Sequence, residues 1–246
     1  MDTDAFRIEE DRTRRVATLR FARPAQGNRV SAAEIPLIGK AIRELGRRKE
    51  FKLVLIRGEG ENFCLGRTPD PPGTAPTTAL GIRAGITQPI LDVYAAVRGA
   101  EVPVIAVVQG EAKGFGCALV GQCDLAIASD KARFSFPEMD HHLPPTLAIS
   151  AVLHKMPPKQ ILQMVYTRRT IGAAEALAYG LLSEVVPHAE LDAGVDKTLA
   201  QLTDRNRAAL AGVKEYIGAA LYIDPEGSAR LAANLLATVL SSPRED

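Results

Sequence analysis

The chain has 246 residues, 46% of them hydrophobic and 24% charged, enough for one large domain with a sizeable buried core. Lysine plus arginine total 30 against 29 aspartate plus glutamate, a formal net charge of +1, which argues against a surface built for nucleic acid. Three cysteines, an acidic start without an apolar run, and no stretch near the roughly 18 apolar residues of a membrane helix predict a soluble, reduced, cytoplasmic protein with no membrane partner.

In chain order, Val16 to Phe21 reads as a strand, ended by the turn Arg23-Pro24-Ala25-Gln26-Gly27-Asn28. Ser31 is a candidate N-cap for a helix whose apolar stripe is Ile35, Ile38, Ala41, Ile42 and Leu45. Lys52 to Arg57 is a short apolar run with charged ends, a buried strand. A polar turn from Gly58 to Asn62 then leads into Phe63-Cys64-Leu65-Gly66-Arg67. The Pro-, Gly- and Thr-rich residues 68–77 read as a loop, and a helix is expected over 78–98. Val102 to Val108 is a second buried strand. After Gly114-Phe115-Gly116 an apolar helical stretch runs to Gly121, followed by strands at Asp124–Ala128 and Ala132–Phe134. From about residue 146 helices dominate, with candidates over 172–180, 189–202, 206–221 and 226–240 and a short strand at Glu184–Val186.

Two segments share one plan, a buried strand, a polar turn and glycines ahead of a helix: the one ending at Gly66-Arg67, and Gly110-Glu111-Ala112-Lys113-Gly114-Phe115-Gly116. Glycine lets a ligand approach the main chain closely. The first N–H groups of a helix lack intrahelical partners and favour negative charge. Side by side, two such turns would hold a developing oxyanion; taken alone, the same glycines also fit tight packing. The spacing lacks G-x-G-x-x-G, so a dinucleotide site is not indicated.

Beyond the second turn come Cys123-Asp124 and Ala132-Arg133-Phe134-Ser135-Phe136-Pro137-Glu138, with Pro145 seven residues on. With Gly110, Ala112, Gly114 and Gly116 these residues resemble the enoyl-CoA hydratase/isomerase (crotonase) superfamily. Arg23-Pro24 with Asn28, Phe63 to Gly66, Thr170 to Ala176, Gly180-Leu181-Leu182 and Val185-Val186-Pro187 extend the resemblance over roughly residues 6–220. It implies an α/β fold, a crotonase-like spiral of ββα units with a C-terminal helical region. Residues 1–190 would form the core with the active site, and 191–246 a region for oligomerisation or a lid. It implies an acyl-CoA thioester as partner, no cofactor beyond the coenzyme A carried by the substrate, no metal, and a homotrimer or dimer of trimers.

The resemblance also places residues. The backbone N–H groups of Arg67 and Phe115 would form the oxyanion hole, with Gly66, Gly114 and Gly116 shaping the substrate site. Glu138 matches one family glutamate, whereas the other position holds Ala118. Two carboxylates suit hydration; a single one suits moving a proton from one carbon to another, as in shifting a 3-enoyl to a 2-enoyl thioester. Apolar Phe134, Phe136, Pro137 and Met139 would raise the pKa of such a base. His141 and His142 are possible bases of a hydratase or C–C bond hydrolase, with Asp140 as an orienting group, or loop residues. Thr146 stands where dienoyl isomerases carry a second acid. Lys214 and Arg29 resemble residues that approach coenzyme A, and the Arg67 side chain could reach its phosphates, although surface roles fit each of them. A non-catalytic acyl-CoA-binding homologue is the remaining alternative.

Overall fold

The computed structural model describes residues 3–242; the end of the expected helical region, residues 243–246, lies outside them. Among the described residues nine strands form two sheets. The larger has the order β1(Phe6–Asp11)-β2(Val16–Phe21)-β3(Leu53–Gly58)-β4(Val104–Val108)-β6(Leu125–Ser129)-β9(Glu184–Val186). Its pairs are parallel except β1–β2, an antiparallel hairpin. The smaller sheet has the order β5(Glu111–Lys113)-β7(Arg133–Ser135)-β8(Ile171–Gly172).

The repeat unit is a strand of the large sheet, a strand or bridge in the second layer, then a helix. β2 passes to Val30, which bridges Arg67, and then to α1(Ile35–Arg47); β4 passes through β5 to α4(Phe115–Gln122). The family resemblance implied this ββα spiral, and the mixed α/β architecture agrees with it.

Alternation along the strands divides the core between two faces, because successive side chains in a strand point oppositely. Val54 and Ile56 face the main core, which α1, α3(Gln88–Arg98) and α4 cover. Leu53 and Leu55 face a second cluster with Ile105, Val107 and Ile127. α8(Leu191–Thr203) closes that cluster through Leu191, Val195 and Leu199. The helical region expected from residue 191 therefore begins with a helix belonging to the core. α9(Arg207–Ala220) and α10(Pro225–Ser241) contain no buried residue, and they pair with each other.

Several local expectations change. α1 begins at Ile35, not after Ser31, and its cap residue Glu34 makes no side-chain cap bond. Glu34 instead bonds back to the Ser31 N–H at 2.7 Å and pairs with Arg23 at 2.6 Å, so a turn precedes the helix. The helix expected over 78–98 comprises α2(Ala79–Ile82), a π-turn Arg83–Thr87 and α3. Pro89 has no N–H to continue the i→i−4 ladder, which accounts for the wider turn just before it. β1, β5 and β8 escaped the sequence reading, two being three residues or shorter and β1, FRIEED, carrying charge on an edge. The helical stretch after 146 contains α5(Thr146–Val152), α6(Pro158–Thr167) and α7(Ala173–Ala178) ahead of α8.

Candidate active site

The two glycine turns meet. Cys64 bridges Ala112, and its carbonyl accepts the Lys113 N–H at 3.0 Å. A Cβ on Gly66 would lie 3.1 Å from the Lys113 carbonyl oxygen and 3.9 Å from the Phe115 nitrogen, so the first turn abuts the start of α4. Gly116 permits that approach, since a Cβ there would lie 2.2 Å from the Cys64 carbonyl oxygen. Gly66 has φ 94° and Gly114 φ 51°, conformations that favour glycine.

The first turn is held from below by Asn28, fully buried with φ 55°. Its side chain accepts the Arg23 N–H at 3.0 Å and donates to the carbonyls of Glu59 and Asn62 at 2.9 and 2.7 Å. The Val30 N–H donates to the Gly66 carbonyl and the Thr68 N–H to the Val30 carbonyl, at 3.1 and 2.8 Å, which leaves the intervening Arg67 N–H off the ladder. Among the described residues neither the Arg67 nor the Phe115 N–H has a protein acceptor. Phe115 opens α4, where orphan donors are expected. Two unpaired amides on adjoining turns can bind one oxygen carrying developing charge.

Glu138 stands on the 3-10 turn Pro137–His141, just after β7. β7 lies beside β5, and the Gly114 N–H donates to the Ser135 carbonyl at 3.0 Å, which brings this turn to the second glycine turn. The position of a Cβ on Gly114 is 2.9 Å from Glu138 Oε1, so the carboxylate packs on the backbone one residue from the Phe115 amide. Glu138 Oε2 is buried without a hydrogen-bond partner. Burial pushes the Glu138 carboxyl above the usual carboxylate range. Ala118, at the other carboxylate position, is completely buried on α4.

The remaining residues separate from this centre. His141 and His142 are both exposed, and His142 takes φ 56° to cap the turn. Asp140 turns away to Arg168 at 3.0 Å and orients neither histidine. Thr146 is exposed at the start of α5. Arg29 donates to the Arg67 carbonyl at 3.1 Å, bracing the first turn, while the Arg67 guanidinium pairs with Asp70 at 3.1 Å. Lys214, which the resemblance places near coenzyme A, has a side chain 8% exposed, and Nζ donates to the Val97 and Val102 carbonyls and pairs with Asp124 at 2.7 Å. All three ammonium hydrogens are thus engaged inside this chain. Asn28 as the anchor of the first turn could have been read from its place after Gly27, since asparagine tolerates left-handed backbone.

A cleft of about 980 Å³ opens elsewhere, lined by Arg7, Arg20, Arg57 and Asp192 among others, but not by Arg67, Phe115 or Glu138. Its charges are largely neutralised internally, by Arg7–Glu59, Arg20–Glu9 and Arg57–Asp192 at 2.7, 2.7 and 2.6 Å. Among the described residues no cluster of three or more His, Cys, Asp or Glu could hold a metal ion, and no helix is long and apolar enough to cross a membrane.

The family model described as enoyl-CoA hydratase/isomerase matches residues 11–242. Human mitochondrial enoyl-CoA hydratase domain-containing protein 3 is 34% identical over 171 residues, 70% of this chain and 56% of that protein. A Rhodococcus jostii hydrolase of a hexahydroindene-carboxyl-CoA is 28% identical over 195 residues, 79% of this chain and 74% of that one. The aligned segments span less than two thirds of the human protein and of its mouse counterpart, 56% and 63%. Among solved structures, an enoyl-CoA hydratase of Mycobacterium smegmatis superposes with TM-score 0.91 at 27% identity, covering 97% of this chain and 92% of that one. The human domain-containing protein 3 superposes with TM-score 0.88 at 27% identity, with coverage of 97% and 92%. The chain belongs to the enoyl-CoA hydratase/isomerase family.

Proposed function

We propose that the protein shifts the double bond of a 3-enoyl-CoA to the 2-position with Glu138 as its single base. The Arg67 and Phe115 N–H groups receive the thioester oxygen. Glu138 takes a proton from C2, the electron pair delocalises over the thioester as a dienolate, and the same carboxyl returns the proton at C4. The product is the 2-enoyl thioester, and nothing is gained or lost. The observation that carries the reading is one buried, unpartnered carboxylate oxygen beside two unpaired amides, with Ala118 where a second carboxylate would stand. Coenzyme A enters with the substrate and no further cofactor takes part. We assign the protein to the cytoplasm.

Enolate formation and the fate of the enolate can be tested separately. Incubated with a saturated acyl-CoA in heavy water, the protein should exchange deuterium into C2. Glu138→Gln should lower that exchange at least 100-fold, as expected for loss of a proton-transfer group. Exchange that survives the substitution would end the one-base mechanism. Isomerisation of 3-hexenoyl-CoA in ¹⁸O-water should proceed without label in the product. Label entering a 2-enoyl substrate, or a cleaved ring, would instead favour a hydratase or a C–C bond hydrolase using His141 or His142, the reading to which the Rhodococcus relative lends weight. Binding of acyl-CoA without exchange would favour a non-catalytic homologue.

A further inference from the structure

The first glycine turn carries an arm that the proposed mechanism leaves unused. Arg67 joins two peptide planes, and a trans peptide presents its C=O and its N–H at opposite edges. In the plane before Arg67, the Gly66 carbonyl accepts the Val30 N–H at 3.1 Å, and the other edge is the free Arg67 N–H. In the plane after it, the Thr68 N–H donates to the Val30 carbonyl at 2.8 Å. The other edge of that plane, the Arg67 carbonyl, accepts Arg29 Nη1 at 3.1 Å. A plane held at one edge can hinge about that bond, but this second plane is held at both. Arg29 thus blocks rotation of the unit to which the oxyanion donor is joined.

The base of this arm is itself fixed. Arg29 stands between Asn28, fully buried with three side-chain hydrogen bonds, and Val30, fully buried and bridged to Arg67. Arg29 is half-buried, and among the described residues its guanidinium bonds to the Arg67 carbonyl and pairs with no carboxylate. The Arg67 guanidinium, by contrast, is drawn to Asp70 on the following loop, at 3.1 Å. Two arginines therefore meet at this turn, one neutralised by an acid and the other with its charge uncompensated. A cation on the carbonyl side of Arg67 favours negative charge gathering near its N–H, the more so the less water lies between them.

We propose that Arg29 is a positioning residue for the oxyanion hole. Its bond to the Arg67 carbonyl keeps the Arg67 N–H aimed at the thioester oxygen, and its charge supports the enolate that forms there. It touches no reacting atom. The bracing is a property of the turn; its catalytic meaning rests on the reading above, in which the Arg67 and Phe115 N–H groups receive the thioester oxygen.

A ligand that cannot isomerise gives the test. Hexanoyl-CoA with ¹³C at its carbonyl is bound to the full chain, and the carbonyl stretch is read by isotope-difference infrared spectroscopy. Two donors should lower its frequency below that of free hexanoyl-CoA. Arg29→Met, which keeps an aliphatic stem without donor or charge, should give back about half of that lowering, since one of the two donors loses its aim. Deuterium exchange into C2 should fall roughly 10- to 100-fold, as for a displaced group, while the Kd for hexanoyl-CoA stays within about threefold. The same losses should appear with hexanoyl-pantetheine, which lacks the adenosine and its phosphates. Weaker binding confined to hexanoyl-CoA, with an unmoved carbonyl band, would make Arg29 a phosphate-binding residue and overturn the proposal. Arg29→Gln repeats the test if the methionine variant does not fold, and an unmoved band in either folded variant is equally fatal. Failure of the underlying reading looks different. Without an oxyanion hole the band of the unsubstituted complex would match free hexanoyl-CoA; with the wrong base the band would still depend on Arg29, while Glu138→Gln kept C2 exchange.

Discussion

Glu138 is where stability and proposed chemistry pull apart. Its pKa is raised above the ordinary value because the folded chain desolvates the charged form. The native state then binds more protons than the unfolded state as pH rises from the ordinary carboxylate value through the raised one. Stability contributed by the neutral acid is complete below the unfolded pKa and is lost across that window. Glu138→Gln, neutral at every pH, should raise Tm near neutrality, with the gain vanishing at acid pH where Glu138 is itself protonated. Paired thermal melts across pH check this, and a gain that persists undiminished at acid pH would refute the desolvation account. The activity profile should run oppositely, rising with pH as the carboxylate forms.

At the scale of elements, positions near the site are set by anchors that do not touch the reacting atoms. Asn28 fixes the first turn by three hydrogen bonds, and Gly116 lets α4 start against Cys64. Lys214 plays a similar part for α9, binding it to the end of α3, the entry to β4 and Asp124, whose carboxylate also accepts the Val104 N–H at 2.7 Å. Replacing it by Met keeps the aliphatic stem but leaves Asp124 and two carbonyls short of a donor. The expected loss is about 3 kcal/mol in urea unfolding. The KM for an acyl-CoA should stay within about twofold, under the ~1.4 kcal/mol that a tenfold change in affinity represents. A large rise in KM with intact stability would return Lys214 to the coenzyme A site.

For the whole molecule, exposed apolar side chains recur along the last two helices. Val213, Ile217 and Leu221 on and after α9 are 66%, 58% and 68% exposed, and Leu236 and Leu240 on α10 are 60% and 76% exposed. Apolar side chains repeated at helical spacing on one face commonly mark an interface. We expect three copies, or two such trimers, to cover them. Sedimentation of the unsubstituted protein should give the mass of a trimer or hexamer, and Ile217→Glu with Leu221→Glu should give a folded species of one-chain mass. A monomeric unsubstituted protein would contradict this.

How much could be read without coordinates differs by kind of feature. The buried strands, the helical last third and both glycine turns were legible because each rests on local residue types: apolar runs, helical spacing and glycines requiring unusual backbone; Glu138 was singled out only by the family resemblance. β1, β5 and β8 were not, since short or charged edge strands exist only through their partners. The abutment of Gly66 with Phe115, the seclusion of Ala118, the outward turn of His141 and His142, and the commitment of Lys214 to Val97, Val102 and Asp124 depend on residues far apart in sequence. A chain pattern states which atoms are available to donate, accept or titrate. Only packing determines which of them lose water and which find a partner, and by that physical difference the tertiary structure left Glu138 unpaired and Lys214 engaged.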